Sequence, residues 1–572
     1  MVRLRARVGV LALGALAGCA HAGRDPAIQQ VRFRNAEPVW VVNDRRDVSD
    51  QPSSRRFLRN HYFFEELVVR PTERTLSLER FPRARNVNAL DQAPNSTWFT
   101  NRIGRHELTP DEVRRGPHRY GPPARSGPMK VHEAEWGAGA PRFQIEDARG
   151  QRYVLKFDQA EFPENETAAD VIVQRLLWAS GFHVPEDNIV FFERDDLVLA
   201  EGAVRTRDLG GDVPLRPGDL DAALVDVFRG PDGRFRGLAS KYLPGEPLGG
   251  YDVRGTRPGD SNDVVPHELR RELRGQHVFF AWVDHTDVKP DNWLDVWVER
   301  PEGSGRHFVQ HYLLDFGKAL GNLAWIDRYP EDGFAYFFDF SYAAPSLASL
   351  GLYVRPWDAY RVPNLRGVGR FGASAFDPAG WKPYYPFLPR TVRDPTDDYW
   401  AAKIVMRFTP EHLRAAVDAG QLSNAASRAY VAGVLEARQR LLGRWAFSRV
   451  APFEDFEIGT EASGARVCFS NLWEVYGFDD ETNEVLRPTR VTSYDFDGRR
   501  LGEAGVQRDG RWCTDAVPTG ATREAYTIFV IDAELDGAPL PSVHVHAARS
   551  PGSDELRVIG LDRRATRRAC RP

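Results

Sequence analysis

With 572 residues, 42% of them hydrophobic, the chain has material for several cores. A formal net charge of −4 leaves no electrostatic footprint for a nucleic-acid partner. Positive charge is mostly arginine: lysine occurs only at positions 130, 156, 241, 289, 318, 382 and 403, so a lysine inside a chemical motif is informative.

The first residues read as a targeting segment. Arg3, Arg5 and Arg7 precede an apolar run, Val8 to Leu16, too short to span a bilayer. Leu16-Ala17-Gly18-Cys19 resembles a bacterial lipobox, which implies a signal peptide over 1–18 and a lipid on Cys19. The resemblance implies a place in the bacterial cell envelope, and Ala20 after the cysteine favours the outer membrane. Residues 19–35 read as a tether. An exported compartment permits disulfides. Cys468 and Cys513 lie in separate strand-like runs and could pair, leaving Cys570 on the tail.

Residues 36–127, rich in Arg, Pro and Gly, read as an extension packing on the next unit. Strand-like runs occur at Pro38–Val42 and Phe63–Val69. Stretches 88–91 and 96–102 look ordered, with their aromatic residues used for packing. From 128 the pattern changes. Residues 143–147 alternate, 148–151 form a turn, and 152–158 alternate again, which predicts a hairpin whose second strand carries Lys156. Before it, Trp136-Gly137-Ala138-Gly139-Ala140-Pro141 is a glycine-containing loop. Asn165-Glu166 opens a helix with Ala168, Val171, Ile172, Leu176 and Leu177 at helical spacing, stopped by Gly181. Strands are expected at 188–192, 197–200 and 238–245, around an Arg/Asp/Gly-rich insertion over 203–235. Pro266 then begins a helix with Leu269, Leu273, Phe280 and Val283 on its inner side.

That helix delivers the densest chemistry of the chain. His285-Thr286-Asp287-Val288-Lys289-Pro290-Asp291-Asn292 is followed by Leu313-Leu314-Asp315-Phe316-Gly317. These residues resemble the catalytic and metal-binding loops of the protein-kinase-like superfamily, in which Asp, Lys at +2 and Asn at +5 precede Asp-Phe-Gly. The resemblance covers about 128–447. It implies that Asp287 accepts or orients the acceptor proton, that Lys289 steadies the γ-phosphate, and that Asn292 and Asp315 hold Mg²⁺. It further implies that Lys156 meets the α/β-phosphates of ATP, that Gly137 and Gly139 belong to the phosphate-covering loop, and that Glu166 is the helix carboxylate pairing with Lys156. Asp170, one turn on, is its rival. Backbone around Tyr242 and Leu243 would meet the adenine. The Asn-Glu helix start is similar to HipA-type kinases, and the overall flavour is that of the atypical HipA and CotH types. Arg142 stands where a third glycine is usual, and Thr286 where an arginine is, so a constitutively formed site is expected rather than one switched by phosphorylation.

Residues 293–298 and 308–314 read as a hairpin. The aromatic and Pro/Gly-rich stretch 325–395 reads as an acceptor-binding or lid region. Helices are expected from Asp397, from a Thr409 cap, and from a Ser423 cap to near Gly443. After 450, six strand-like runs separated by turn pairs such as Asp497-Gly498 suggest a β-sandwich. His544 and His546 read as surface or interface residues. The expectation is therefore an α+β chain: a bilobal protein-kinase-like fold with lobes at 128–248 and 249–447, an N-terminal extension, and a C-terminal β-sandwich-like domain over 448–572. Its expected function is ATP- and Mg²⁺-dependent phosphoryl transfer. Scarce ATP outside the cytoplasm motivates an alternative, a silent kinase-fold protein binding a partner or nucleotide. Nucleotidyl (AMP) transfer is a third reading.

Overall fold

The computed structural model describes residues 28, 31–55, 59–69, 81–136, 140–207, 211–322, 329–337 and 339–563. The fold is α+β, with three hydrogen-bonded sheets and helices gathered mainly between Asn165 and Phe447. The first sheet holds β1 (Met129–Glu135), β2 (Arg142–Glu146), β3 (Arg152–Phe157), β4 (Asp187–Phe192), β5 (Leu197–Arg207), β6 (Gly211–Pro214) and β7 (Phe235–Lys241). Their order is β4-β7-β3-β2-β1-β5-β6, with β1 and β5 parallel.

The β2–β3 hairpin follows from its alternation. Phe143, Ile145, Tyr153, Leu155 and Phe157 are fully buried on one face, which sends Lys156 to the other. The turn is held by Asp147, whose side chain accepts from the Arg149 and Gln151 amides at 2.9 Å each. The helix Asn165–Ser180 packs against this sheet through Val171, Ile189 and Leu238. It ends at Gly181, whose φ of 133° and close approach to the Phe99 ring both exclude a side chain.

From β7 the chain crosses into a second sheet of β8 (Glu246–Gly249), β9 (Trp293–Glu299) and β10 (His307–Leu313), with β9 in the centre. Leu243, at the crossing, joins a small cluster with Val296, Val298, Phe308 and Tyr312. The helix Arg271–Val283 is buried along its whole length against the helices Pro395–Met406 and Ala425–Phe447. Thr409 caps the helix Pro410–Ala419 as expected, and Asp394 forms a capping box with Asp397. Among the described residues no helix is long and apolar enough to cross a membrane.

The third sheet contains β11 (Phe453–Glu461), β12 (Gly464–Asn471), β13 (Leu486–Asp495), β14 (Arg500–Asp509), β15 (Arg511–Thr514), β16 (Thr527–Leu535), β17 (Ala538–Arg549) and β18 (Leu556–Arg563). These are hydrogen-bonded in the continuous order β11-β12-β15-β14-β13-β16-β17-β18. Its end strands approach each other: Leu556 donates to Thr460, and Arg563 to the carbonyls of Ala451 and Phe453. Cys468 and Cys513 face each other across β12 and β15 and are disulfide-bonded. His544 and His546 are buried rather than exposed, and Tyr526 contacts His546 at 2.9 Å.

Several local expectations are corrected. Phe63–Val69 is not a strand: it lies across an α-helix, Arg59–Phe64, and a π-helical turn, Glu65–Val69. A short apolar run does not by itself distinguish strand from helix. Pro38–Val42 is extended but makes only an isolated bridge, Val41 with Asn95. The last long helix is capped by Asn424, one residue after Ser423, and runs through Gly443 to Phe447. Gly443 serves packing there, because a Cβ would collide with Met406 and Phe478. Among its described residues, the region 325–395 carries the helix Phe340–Ala348 and the short turn Leu388–Thr391 in otherwise irregular chain.

Candidate functional site

Two loops and one strand meet where the first sheet faces the end of the β9–β10 hairpin. The helix Arg271–Val283 stops at Asp284, whose left-handed backbone (φ 52°) turns the chain into the loop that follows. His285 is clamped between Phe280 and Phe316, with ring centroids 5.0 and 5.7 Å away. Burial pushes its imidazole down to about 4, so it sits there neutral, as a packing group. The Thr286 carbonyl accepts from the Tyr384 amide at 2.9 Å, tying this loop to the long irregular segment.

Asn292 and Asp315 are separated by the whole hairpin but remain neighbours in space. Trp293 pairs with Leu313, and the Leu314 amide donates to the Asn292 carbonyl at 2.9 Å. A hairpin returns to its starting point, so its length leaves the site unchanged. Asn292 is buried, and its amide nitrogen donates to the Asp287 carbonyl at 2.6 Å, which leaves the amide oxygen for another partner. Asp315 has a left-handed backbone (φ 59°), uncommon for a residue with a side chain.

Lys156 Nζ bridges Asp170 Oδ2 at 3.0 Å and Asp315 Oδ1 at 2.9 Å. The helix carboxylate that takes its hydrogen bond is therefore Asp170, not the expected Glu166. Asp170 also accepts from the Phe316 amide at 3.2 Å, so it holds both the lysine and the Asp-Phe-Gly loop. Glu166 sits beside Gly317, where a Cβ would collide with its side chain. Burial and the Asp315 charge push the Glu166 carboxyl up to about 8, against the pull of Lys156. Burial also opposes the charge on Lys156, yet Asp170, Asp315 and Glu166 together hold its ammonium above the ordinary range. Asp315 is held well below the carboxylate range: Lys156, Lys289 and Lys318 outweigh its burial.

The second cluster is built on Asp287. Its Oδ2 receives Lys289 at 2.7 Å and Lys318 at 3.1 Å. Against the cost of burial, these two ammonium groups keep Asp287 ionised below its usual value. Lys318 had no assigned role from the sequence. Its one signal there was position, as a rare lysine directly after Asp-Phe-Gly.

Gly137, Gly139 and Cys19 lie outside the described residues. Among the described residues no group of three or more His, Cys, Asp or Glu side chains is arranged as a metal site. The Asn292 amide oxygen and the Asp315 carboxylate are nevertheless hard donors of the kind Mg²⁺ takes when phosphates complete its coordination. No protein-family model matches the chain, and no curated protein or solved structure was found to match it. The arrangement offers three partly buried lysines, Lys156, Lys289 and Lys318, and two ionised carboxylates, Asp287 and Asp315, at one place. Such a set can bind a polyphosphate and orient a hydroxyl beside it.

Proposed function

We propose that this chain is an ATP- and Mg²⁺-dependent phosphotransferase of protein-kinase-like, bilobal architecture, held at the bacterial envelope by a lipid on Cys19. In this reading β1–β7 with the helix Asn165–Ser180 form one lobe, and the helices from Arg271 to Phe447 form the core of the other. The extension and the C-terminal sheet are accessory. The observation that carries the proposal is convergence: Lys156 reaches Asp315 at 2.9 Å across 159 positions of sequence, beside an Asp287 that holds Lys289 and lies against Asn292.

Phosphoryl transfer requires positioning and charge neutralisation more than covalent chemistry. Lys156 would contact the α/β-phosphates, kept in place by Asp170. Asn292 and Asp315 would hold Mg²⁺, which supplies charge neutralisation on the phosphates. Lys289 and Lys318 would stand beside the transferred group. Asp287, made weakly basic by its two lysines, would orient the acceptor hydroxyl more than deprotonate it early. The left-handed Asp315 and the packed His285–Phe316 pair suit a site formed before ligand arrives.

The test is label transfer to an envelope fraction from γ-labelled and from α-labelled ATP, with Asp287→Asn as control. Transfer from the γ-label, reduced at least 100-fold in the variant, is the expected result. Transfer from the α-label would instead support nucleotidyl transfer, and no nucleotide-dependent label would support the silent binding protein.

A further inference from the structure

The four most exposed large hydrophobic side chains among the described residues are Leu350 (93%), Leu352 (85%), Leu347 (77%) and Val354 (75%), and they fall together in the segment after Asp-Phe-Gly. Residues 340–354 contain no charged side chain, in a chain that is 27% charged. The helix Phe340–Ala348 buries none of its residues, and every residue from Leu350 to Pro356 is exposed. Leu350 has a left-handed backbone (φ 55°) and Gly351 follows with φ 87°, so the chain turns back at this tip. The tip is hydrogen-bonded to itself. The amides of Ser349, Leu350, Gly351 and Leu352 donate to the carbonyls of Pro345, Leu347, Ser346 and Ser349 at 2.9, 3.1, 2.9 and 3.1 Å, and the Tyr353 amide donates to Ser349 Oγ at 2.9 Å. At the base, Lys382 Nζ holds Asp339 Oδ2 at 2.6 Å and lies 5.0 Å from the Tyr342 ring. Tyr342 packs on Trp357 with ring centroids 4.9 Å apart, and Arg355 lies 5.3 Å from the Trp357 ring.

We propose that residues 340–354 enter the surface layer of a phospholipid bilayer, a second membrane contact besides the lipid on Cys19. The stretch is too short to span a bilayer and long enough to lie in its interface. Three observations choose a bilayer over a groove in a partner protein. A groove covers one face, whereas the exposed aliphatic groups run from the helix (Leu347) around the tip (Leu350) and along the chain that leaves it (Leu352, Val354). Amides already bonded within the loop leave water at little cost, the condition that hydrocarbon imposes on any backbone. The base joins Tyr and Trp rings to a lysine and an arginine, side chains that bridge acyl chains and headgroups. The tether adds proximity, an argument that rests on the lipid-anchor reading. Cys19 precedes Ile28 by nine positions, about 32 Å at full extension, and Ile28 is buried in a cluster with Tyr526 and Ile559 of the C-terminal region.

The test is fluorescence of a polarity-sensitive dye on Leu352→Cys in the full-length protein with Cys19→Ser and Cys570→Ser, which leaves no other free thiol and no lipid. The probe is vesicles of phosphatidylethanolamine and phosphatidylglycerol. A blue shift on adding vesicles is expected, reduced at least fivefold by Leu350→Asp. The same dye on Val225→Cys, a similarly exposed aliphatic site elsewhere, should not shift. Leu350 and Leu352 are exposed, so both variants keep the fold, which an unchanged melting temperature checks. No shift with vesicles, a shift indifferent to Leu350→Asp, or an equal shift at Val225→Cys would overturn the proposal. A shift that needs no vesicles and grows with protein concentration would overturn it in favour of contact with a second copy of this chain. Failure of the tip leaves the Cys19 anchor untouched, since the labelled protein carries no lipid. An unaltered chain whose mass shows no acyl group on Cys19 would overturn the anchor and leave the tip to the vesicle result.

Discussion

Lys156 stands between two carboxylates that differ in access to solvent, since the Asp170 side chain is 1% exposed and that of Asp315 is 32% exposed. Asp170 is the fixed partner, and Asp315 lies on the side where a ligand can exchange. Asp170→Ala removes the bonds to Lys156 and the Phe316 amide, and should cost about 3 kcal/mol by urea unfolding. It should also weaken Mg·ATP binding at least tenfold by calorimetry. Glu166→Ala should cost less than about 1 kcal/mol, since no hydrogen bond from Lys156 depends on it. Equal effects of the two would contradict the pairing described. The choice between them was not legible in the sequence. Residues 166 and 170 lie one turn apart on the same helix face, and which reaches the lysine depends on how far the helix slides along β3. Asp287, Lys289, Asn292 and Asp315 were legible because each sits at a fixed offset within a short motif. Lys318 was not, because its partner lies 31 positions away.

At the scale of elements, Arg236 ties the first sheet to the helical region. From β7 it donates to the Gly420 and Gln421 carbonyls at 2.7 and 2.8 Å, at the end of the helix Pro410–Ala419, and lies 3.6 Å from buried Asp158. Arg236→Ala strands Asp158 without its cation and should cost about 3–5 kcal/mol. A urea midpoint close to that of the unaltered protein would exclude the role. The disulfide between β12 and β15 closes a loop of 45 positions, worth about 4 kcal/mol by chain entropy. A Cys468→Ser, Cys513→Ser double variant should therefore unfold its C-terminal sheet at lower denaturant than the unaltered protein. The β2–β3 hairpin could be read from its alternation, because it buries one face, while the Asn165 helix and the β9–β10 hairpin, buried on nearly all sides, could be read as apolar runs bounded by turn residues. β11 and β14 could not: their mostly exposed residues leave only a faint alternation, and they are strands through their ladders, β11 with β12 and β14 with β13 and β15.

Across the whole molecule, the described residues before β1 touch all three sheets as a strap, and Phe33, within the stretch expected to be a tether, is part of it. Tyr120 bonds Glu186 next to β4, Val48 and Arg55 bond the second sheet at His307 and Leu248, and Phe33 packs on His546 of the third. Long-range order of this kind has no local signature, so the extension was foreseen as packing without its route. Several histidines are folded into the interior as neutral rings. Burial, with Arg175 nearby, brings His118 down to about 4; burial brings His285 down to about 4 and His277 well below the ordinary 6.5. A depressed imidazole value means that the unfolded chain binds more protons between pH 6.5 and 4. The stability these groups contribute is present above 6.5 and lost as pH falls toward 4. Calorimetric unfolding near pH 5.5, compared between buffers of different ionisation enthalpy, reports the histidines only by difference, because Glu166, held up to about 8, releases its own proton on unfolding. His118→Gln should take up less than the unaltered protein, and an unchanged proton count would contradict the assignment. The central claim, a nucleotide site joining Lys156, Asp287, Asn292 and Asp315, is tested most directly by thermal unfolding of the full-length protein with and without Mg·ATP, beside Asp315→Ala. Ligand at 100 times its Kd adds about 2.7 kcal/mol. The account predicts a rise in melting temperature that requires Mg²⁺ and vanishes in the variant, while an unshifted transition in a well-folded sample would contradict it.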